Sequence, residues 1–166
     1  NVVSVHDENS GGTVVIGALT ESGEQDVYEF MGVVGQRIYY DALPSASDDL
    51  RMRLLGPSGQ TLSFDHDEAN HGPFTLAEAG TYRLELLGNN GATGDYAFSL
   101  YEPPINFAPL TFGTDITGTI DLPGELDVFT FTATVGQRIF YDALTSAEDD
   151  LRVRLISPTG QQIISN

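Results

Sequence analysis

The chain has 166 residues, 40% hydrophobic and 10% aromatic, enough for one or two domains with buried cores. Its 24 acidic residues face seven arginines and no lysine, a formal net charge of −17 that repels nucleic acids and anionic membranes. The absence of cysteine excludes disulfides and thiolate metal sites, and no long apolar run or signal-peptide pattern inserts the chain directly into a membrane.

Residues 1–12 read as an N-terminal linker or leading strand. Thr13–Leu19 is the first predicted strand, closed by the turn Glu21-Ser22-Gly23-Glu24. Residues 26–33 follow, with Tyr28 and Phe30 on one face. Gly35 turns the chain into Arg37–Ala42, where Ile38 and Tyr40 point one way and Arg37, Tyr39 and Asp41 the other. Leu50–Leu55 places Leu50, Met52 and Leu54 inward and Arg51 and Arg53 outward. Pro57-Ser58-Gly59 is a tight turn, with Pro setting one φ and Gly accepting a positive one. It leads to a strand over 61–64, a polar loop over 65–72 and a short strand over 73–76. Residues 80–87 carry Tyr82, Leu84 and Leu86 inward, and 95–100 carry Tyr96, Phe98 and Leu100. Eight short strands with period-two alternation and no helical period predict an all-β fold: an antiparallel β-sandwich, jelly-roll-like or Greek-key.

The segment GQRIYYDAL beginning at Gly35 returns as GQRIFYDAL beginning at Gly136, 101 residues on. Residues 17–65 align without a gap on 118–166, with 26 identities in 49 positions. A period near 100 residues is a whole domain rather than a solenoid turn, so tandem sandwiches are expected. One complete repeat spans 13–101. The Pro-containing segment 102–111 is a semi-rigid linker. Residues 112–166 form an incomplete second repeat, supplying strands up to the counterpart of Phe64 and none matching 73–76, 80–87 or 95–100. Without those strands Phe129, Phe131, Ile139, Tyr141, Leu151 and Leu155 lack a facing layer. An isolated chain ending at Asn166 is therefore not expected to keep this repeat ordered; where it is ordered, strands are expected from the same polypeptide continuing or from a neighbouring copy donating them.

With the strands placed, GEQDVYEFMGVVGQRI, DLRMRLLGPSGQ, AGTYRLELLG and TGDYAFSL in the first repeat resemble, in order, the bacterial pre-peptidase C-terminal domain. The second repeat carries the first half, as GELDVFTFTATVGQRI and DLRVRLISPTGQ. The resemblance implies a small, non-catalytic extracellular β-sandwich of secreted peptidases and repetitive surface proteins. Clostridial collagenase relatives in that family bind calcium and collagen.

The cation candidates are Asp26, Asp48, Asp49, Asp65 and Asp67. Oxygen ligands two residues apart, as at Asp65 and Asp67, suit Ca²⁺, which takes six to eight oxygens. The competing reading is plain: Asp65-His66-Asp67-Glu68 is a solvated loop, and aspartates at strand entries bond turn N–H groups. No cofactor is required, and calcium is the one the acids suggest. His66 and His71 lack a third His or Cys for zinc. Arg37, Tyr39, Arg51 and Arg53 are candidates for a glycan- or protein-binding face; the plain alternative is cross-strand pairing with Asp41, Glu29 or Glu85. No catalytic residue is identified. The three histidines, His6, His66 and His71, have no Gly-x-Ser-x-Gly turn to serve, and no paired carboxylates line a cleft.

The expected function is therefore that of a structural or adhesive repeat module of a large extracellular or bacterial cell-surface protein, filament-forming in one version. The alternative is a glycan- or protein-binding accessory module of a secreted peptidase or adhesin. Expected partners are neighbouring repeats or copies of itself, then a glycan or matrix protein.

Overall fold

The computed structural model describes residues 12–44, 49–144 and 151–165. They fall into two units, one up to Phe131 and one from Thr132. Residues 1–11, expected as a linker or leading strand, and Asp48, a cation candidate, lie outside the described residues.

In the first unit eight strands follow the alternation of the sequence: β1 (Thr13–Leu19), β2 (Gln25–Gly32), β3 (Arg37–Ala42), β4 (Leu50–Leu55), β5 (Thr61–His66), β6 (His71–Thr75), β7 (Gly80–Gly88) and β8 (Gly94–Tyr101). They form two antiparallel four-stranded sheets, ordered β1-β8-β3-β6 and β2-β7-β4-β5. This is the strand order of a jelly roll. Only β4 and β5 are consecutive neighbours; every other connection crosses between the sheets.

The inward sets meet between the sheets. Ile38, Tyr40, Tyr96, Phe98 and Leu100 come from one, and Leu50, Met52, Leu54, Tyr82, Leu84 and Leu86 from the other. The Tyr28 ring meets Phe98 edge-on across the core at 5.4 Å, and Phe98 stacks on Tyr40 at 5.3 Å. Fully burying one such side chain stabilises the fold by about 1.5–3 kcal/mol. On the outer face of β4 and β7, Arg53 Nε donates to Glu85 Oε2 at 2.7 Å, and the Arg53 Nη2 bonds the same oxygen. This is the cross-strand pair read from the sequence.

Residues 102–111, expected as a linker, contain a strand, β9 (Ile105–Pro109). It pairs in parallel with β10 (Leu126–Thr130). In the unit from Thr132, β11 (Arg154–Ile156) and β12 (Gln162–Ser165) form a hairpin.

The counterparts of β1 and β3, at 114–120 and 138–143, do not form strands. The reason is hydrogen bonding. In the first sandwich β1 pairs only with β8, and β3 only with β8 and β6. No segment matching β6 or β8 follows in 112–166, so a strand there would leave its ladder unpaired. The β4–β5 hairpin is local, and its counterpart β11–β12 forms. The counterpart of β2, whose partner is β7, pairs with β9 instead.

Candidate functional site

The structure separates Asp26 from Asp65. Asp26 on β2 pairs in register with Leu86, Leu86 with Met52, and Met52 with Asp65 on β5. Asp26 and Asp65 thus stand on opposite edges of one sheet, three strand spacings or roughly 14 Å apart. One Ca²⁺, with ligands at about 2.3–2.6 Å, cannot join them. Each has a local role. Asp26 accepts a hydrogen bond from the Tyr96 hydroxyl, which is itself bonded to the Tyr28 hydroxyl at 2.6 Å. Burial, followed by the bond to Asp26, pushes the Tyr96 hydroxyl pKa far up. Asp65 Oδ1 accepts from the His66 N–H at 2.8 Å. The Asp49 carbonyl accepts from the Asn89 N–H at 2.9 Å. Among the described residues no three His, Cys, Asp or Glu gather as for a metal.

Asp67 is different. It is buried, its backbone carbonyl accepts from the Tyr40 hydroxyl at 2.8 Å, and its Oδ1 has no hydrogen-bond partner. Burial holds its carboxyl pKa above the usual range.

The four candidates for a binding face do not share one. Arg51 and Arg53 lie on the outer face of β4, where Arg51 Nη1 meets His66 Nδ1 at 2.7 Å. Arg37 and Tyr39 lie on the outer face of β3, in the other sheet. Strand alternation placed all four outward correctly but carried no information about which sheet each strand would join.

Arg37 and Tyr39 are already engaged. Arg37 Nη2 donates to the Gly124 carbonyl at 2.6 Å, and the Tyr101 hydroxyl donates to the Pro123 carbonyl at 3.1 Å. Tyr39 packs on Tyr101 with ring centroids 5.5 Å apart. Gln36 Nε2 donates to Glu102 Oε2 at 3.1 Å. A turn spanning residues 122–125 thus sits on an arginine–tyrosine seat on the outer face of the first sandwich.

The turn is preformed. The Glu125 N–H donates to the Leu122 carbonyl at 3.1 Å, and Glu125 Oε2 accepts from the N–H groups of Asp121 and Leu122 at 2.8 and 3.0 Å. Gly124 has φ +80°, and a Cβ there would lie 3.0 Å from Tyr39 Cδ2. Its backbone conformation and its close approach to the seat therefore both select glycine. The sequence reading missed Tyr101, Pro123 and Gly124 as contact residues. The available signal was the Gly-Glu turn recurring at Gly23-Glu24.

No protein-family model and no curated protein matches the sequence. The chain is similar to the pre-peptidase C-terminal domain of collagenase from Bacillus anthracis, at 21% identity and a TM-score of 0.46, covering 60% of this chain and 92% of that one. It is similar to PliG of Aeromonas hydrophila, a periplasmic inhibitor of g-type lysozyme, at 13% identity and a TM-score of 0.47, covering 60% and 93%. The PliG of Salmonella Typhimurium is similar at 16% identity and a TM-score of 0.44, covering 60% and 94%.

Proposed function

We propose that the chain is a non-catalytic structural or adhesive module of a large extracellular or cell-surface protein in which β-sandwiches of one repeat follow one another in series. The observation that carries this reading is the internal repeat of 101 residues. Its turns recur with the same backbone: φ is +84° and +80° at Gly23 and Gly124, and +83° and +82° at Gly59 and Gly160. The side-chain cap recurs too, with Gln36 Oε1 accepting from the Val33 N–H at 3.1 Å and Gln137 Oε1 from the Thr134 N–H at 3.0 Å.

Serial sandwiches build length and need no reaction centre. His66 is met by Arg51, and His71 Nε2 lies 3.2 Å from the His66 carbonyl oxygen, so both histidines have structural contacts. The test is small-angle scattering on chains carrying increasing numbers of the repeat. A constant increment of maximum dimension per repeat is expected; growth as a compact globule overturns the reading. Saturable binding on a glycan or matrix-protein array, without extension, would move the function to the accessory-module alternative.

A further inference from the structure

The seat and the turn described above both recur at the 101-residue offset. Arg37 recurs as Arg138, and Tyr39 as Phe140. Tyr39 approaches Gly124 through a ring carbon, Cδ2, an edge that phenylalanine presents equally. The turn recurs as Glu21-Ser22-Gly23-Glu24. The Glu24 N–H donates to the Glu21 carbonyl at 3.1 Å, and Glu24 Oε2 accepts from the Glu21 N–H at 3.0 Å, as at Glu125. The seat grips backbone carbonyls, so Ser22 in place of Pro123 leaves its acceptor intact. Ser22 is exposed, and a Cβ on Gly23 would meet nothing within 4 Å, whereas one on Gly124 meets the seat. Phe140 is 89% exposed. The chain therefore presents one filled turn-and-seat pair, one open turn, and the arginine and aromatic ring of a second seat whose strand over 138–143 and Tyr101 counterpart residues 112–166 do not supply.

We infer that this contact is a reiterated head-to-tail joint: the turn at Glu21–Glu24 seats on a preceding copy of the repeat, and Arg138 with Phe140 receives the turn of a following copy. The partner is a second copy of this same repeat. The inference rests on the serial reading above and adds the surface that fixes each sandwich to the next. Turn and seat are different surfaces, so the contact is heterologous and propagates as an open chain unless its rotation closes a ring. The arginine-to-carbonyl bond is charge-assisted, and the glycine requirement gives the joint specificity.

The chain has no cysteine, so introduced pairs report proximity cleanly. In the full chain, Tyr39→Cys with Pro123→Cys probes the filled joint. Ser22→Cys with Phe140→Cys probes the same two positions one repeat apart, in the chain extended after Asn166 by a second copy of residues 66–101 so that the second seat has its strand and its Tyr101 counterpart. With a short bis-maleimide, the first pair is expected to yield a crosslinked monomer. The second is expected to yield a ladder of oligomers, reduced severalfold by Arg138→Ala or by Gly23→Val. A ladder that ignores both substitutions, or no ladder while the first pair crosslinks, overturns the reiterated joint. Constant growth in the scattering series would then still uphold serial sandwiches. If the first pair fails in a chain with an unchanged near-ultraviolet spectrum, the filled joint itself is wrong.

Discussion

Asp67 is the residue whose environment most clearly opposes its charge. Its side chain is buried, its Oδ1 lacks a partner, and burial raises its pKa. A carboxyl whose pKa is raised on folding favours the folded state least when ionised. The penalty is absent below the ordinary carboxylate value of about 4 and grows as pH rises through the raised one. Asp67→Asn is therefore expected to raise the melting temperature at neutral pH, with a gain that vanishes in acid. The Tyr40 hydroxyl bonds the backbone carbonyl and is untouched by the change. Melting curves of both proteins at the two pH values decide it. A lower melting temperature for Asp67→Asn at neutral pH would sink the argument. If calcium then stabilised only the parent, Asp67 would be a cation ligand. The acid itself was legible in the sequence as one of a pair with Asp65; its burial was not. Alternation within β5 says nothing about the loop that follows, where Tyr40 from the other sheet closes over it.

At the scale of elements, period-two alternation placed all eight strands of the first sandwich and their inward residues, because each face of a strand meets a different environment. It could not place the pairings, since these are made between strands distant in sequence. That is why alternation alone does not make strands throughout residues 112–166, which the sequence shows to lack the segments matching β6, β7 and β8. Tyr28, Tyr40 and Leu50 are 7%, 1% and 0% exposed, while their counterparts Phe129, Tyr141 and Leu151 are 38%, 57% and 54% exposed. Phe131 has an edge contact with Phe112 at 5.2 Å and is half-buried. In the first sandwich β7 and β8 supply Tyr82, Leu84, Leu86, Tyr96 and Phe98 to cover the equivalent positions. A chain extended after Asn166 by a second copy of residues 66–101 is thus expected to turn 114–120 and 138–143 into strands. Burial of several such side chains, at about 1.5–3 kcal/mol each, approaches the stability of a whole domain, about 5–15 kcal/mol. Hydrogen exchange reads this directly: amides of 138–143 should become protected in the extended chain. If they exchange as fast as before, missing partners are not what keeps them from forming a strand.

For the whole molecule, the charge of −17 and the exposed apolar surface act against each other in solution. Val135, Phe140, Leu144 and Ile163 are all more than half exposed, a surface that favours association with other apolar faces. The negative charge keeps copies apart and also strains the compact state by self-repulsion. Added salt weakens both effects of the charge, because the screening length falls from about 30 Å at about 10 mM to about 3 Å at about 1 M. Salt also weakens attractive pairs such as Arg53–Glu85, but a part-exposed pair contributes about 0–1 kcal/mol, and the acids outnumber the arginines 24 to seven. Net repulsion therefore decides the sign. Raising sodium chloride over that range is expected to raise the melting temperature of the first sandwich and to increase light scattering by the full chain. Approaching the sequence isoelectric point near 4.1 should increase scattering without salt, since the charge that separates the copies is then discharged. The same titration on a chain with Phe140→Ser and Ile163→Ser should keep the melting shift while losing much of the scattering. A melting temperature that falls with salt, or scattering indifferent to those two substitutions, would show that the balance is set elsewhere than in the net charge and this apolar surface.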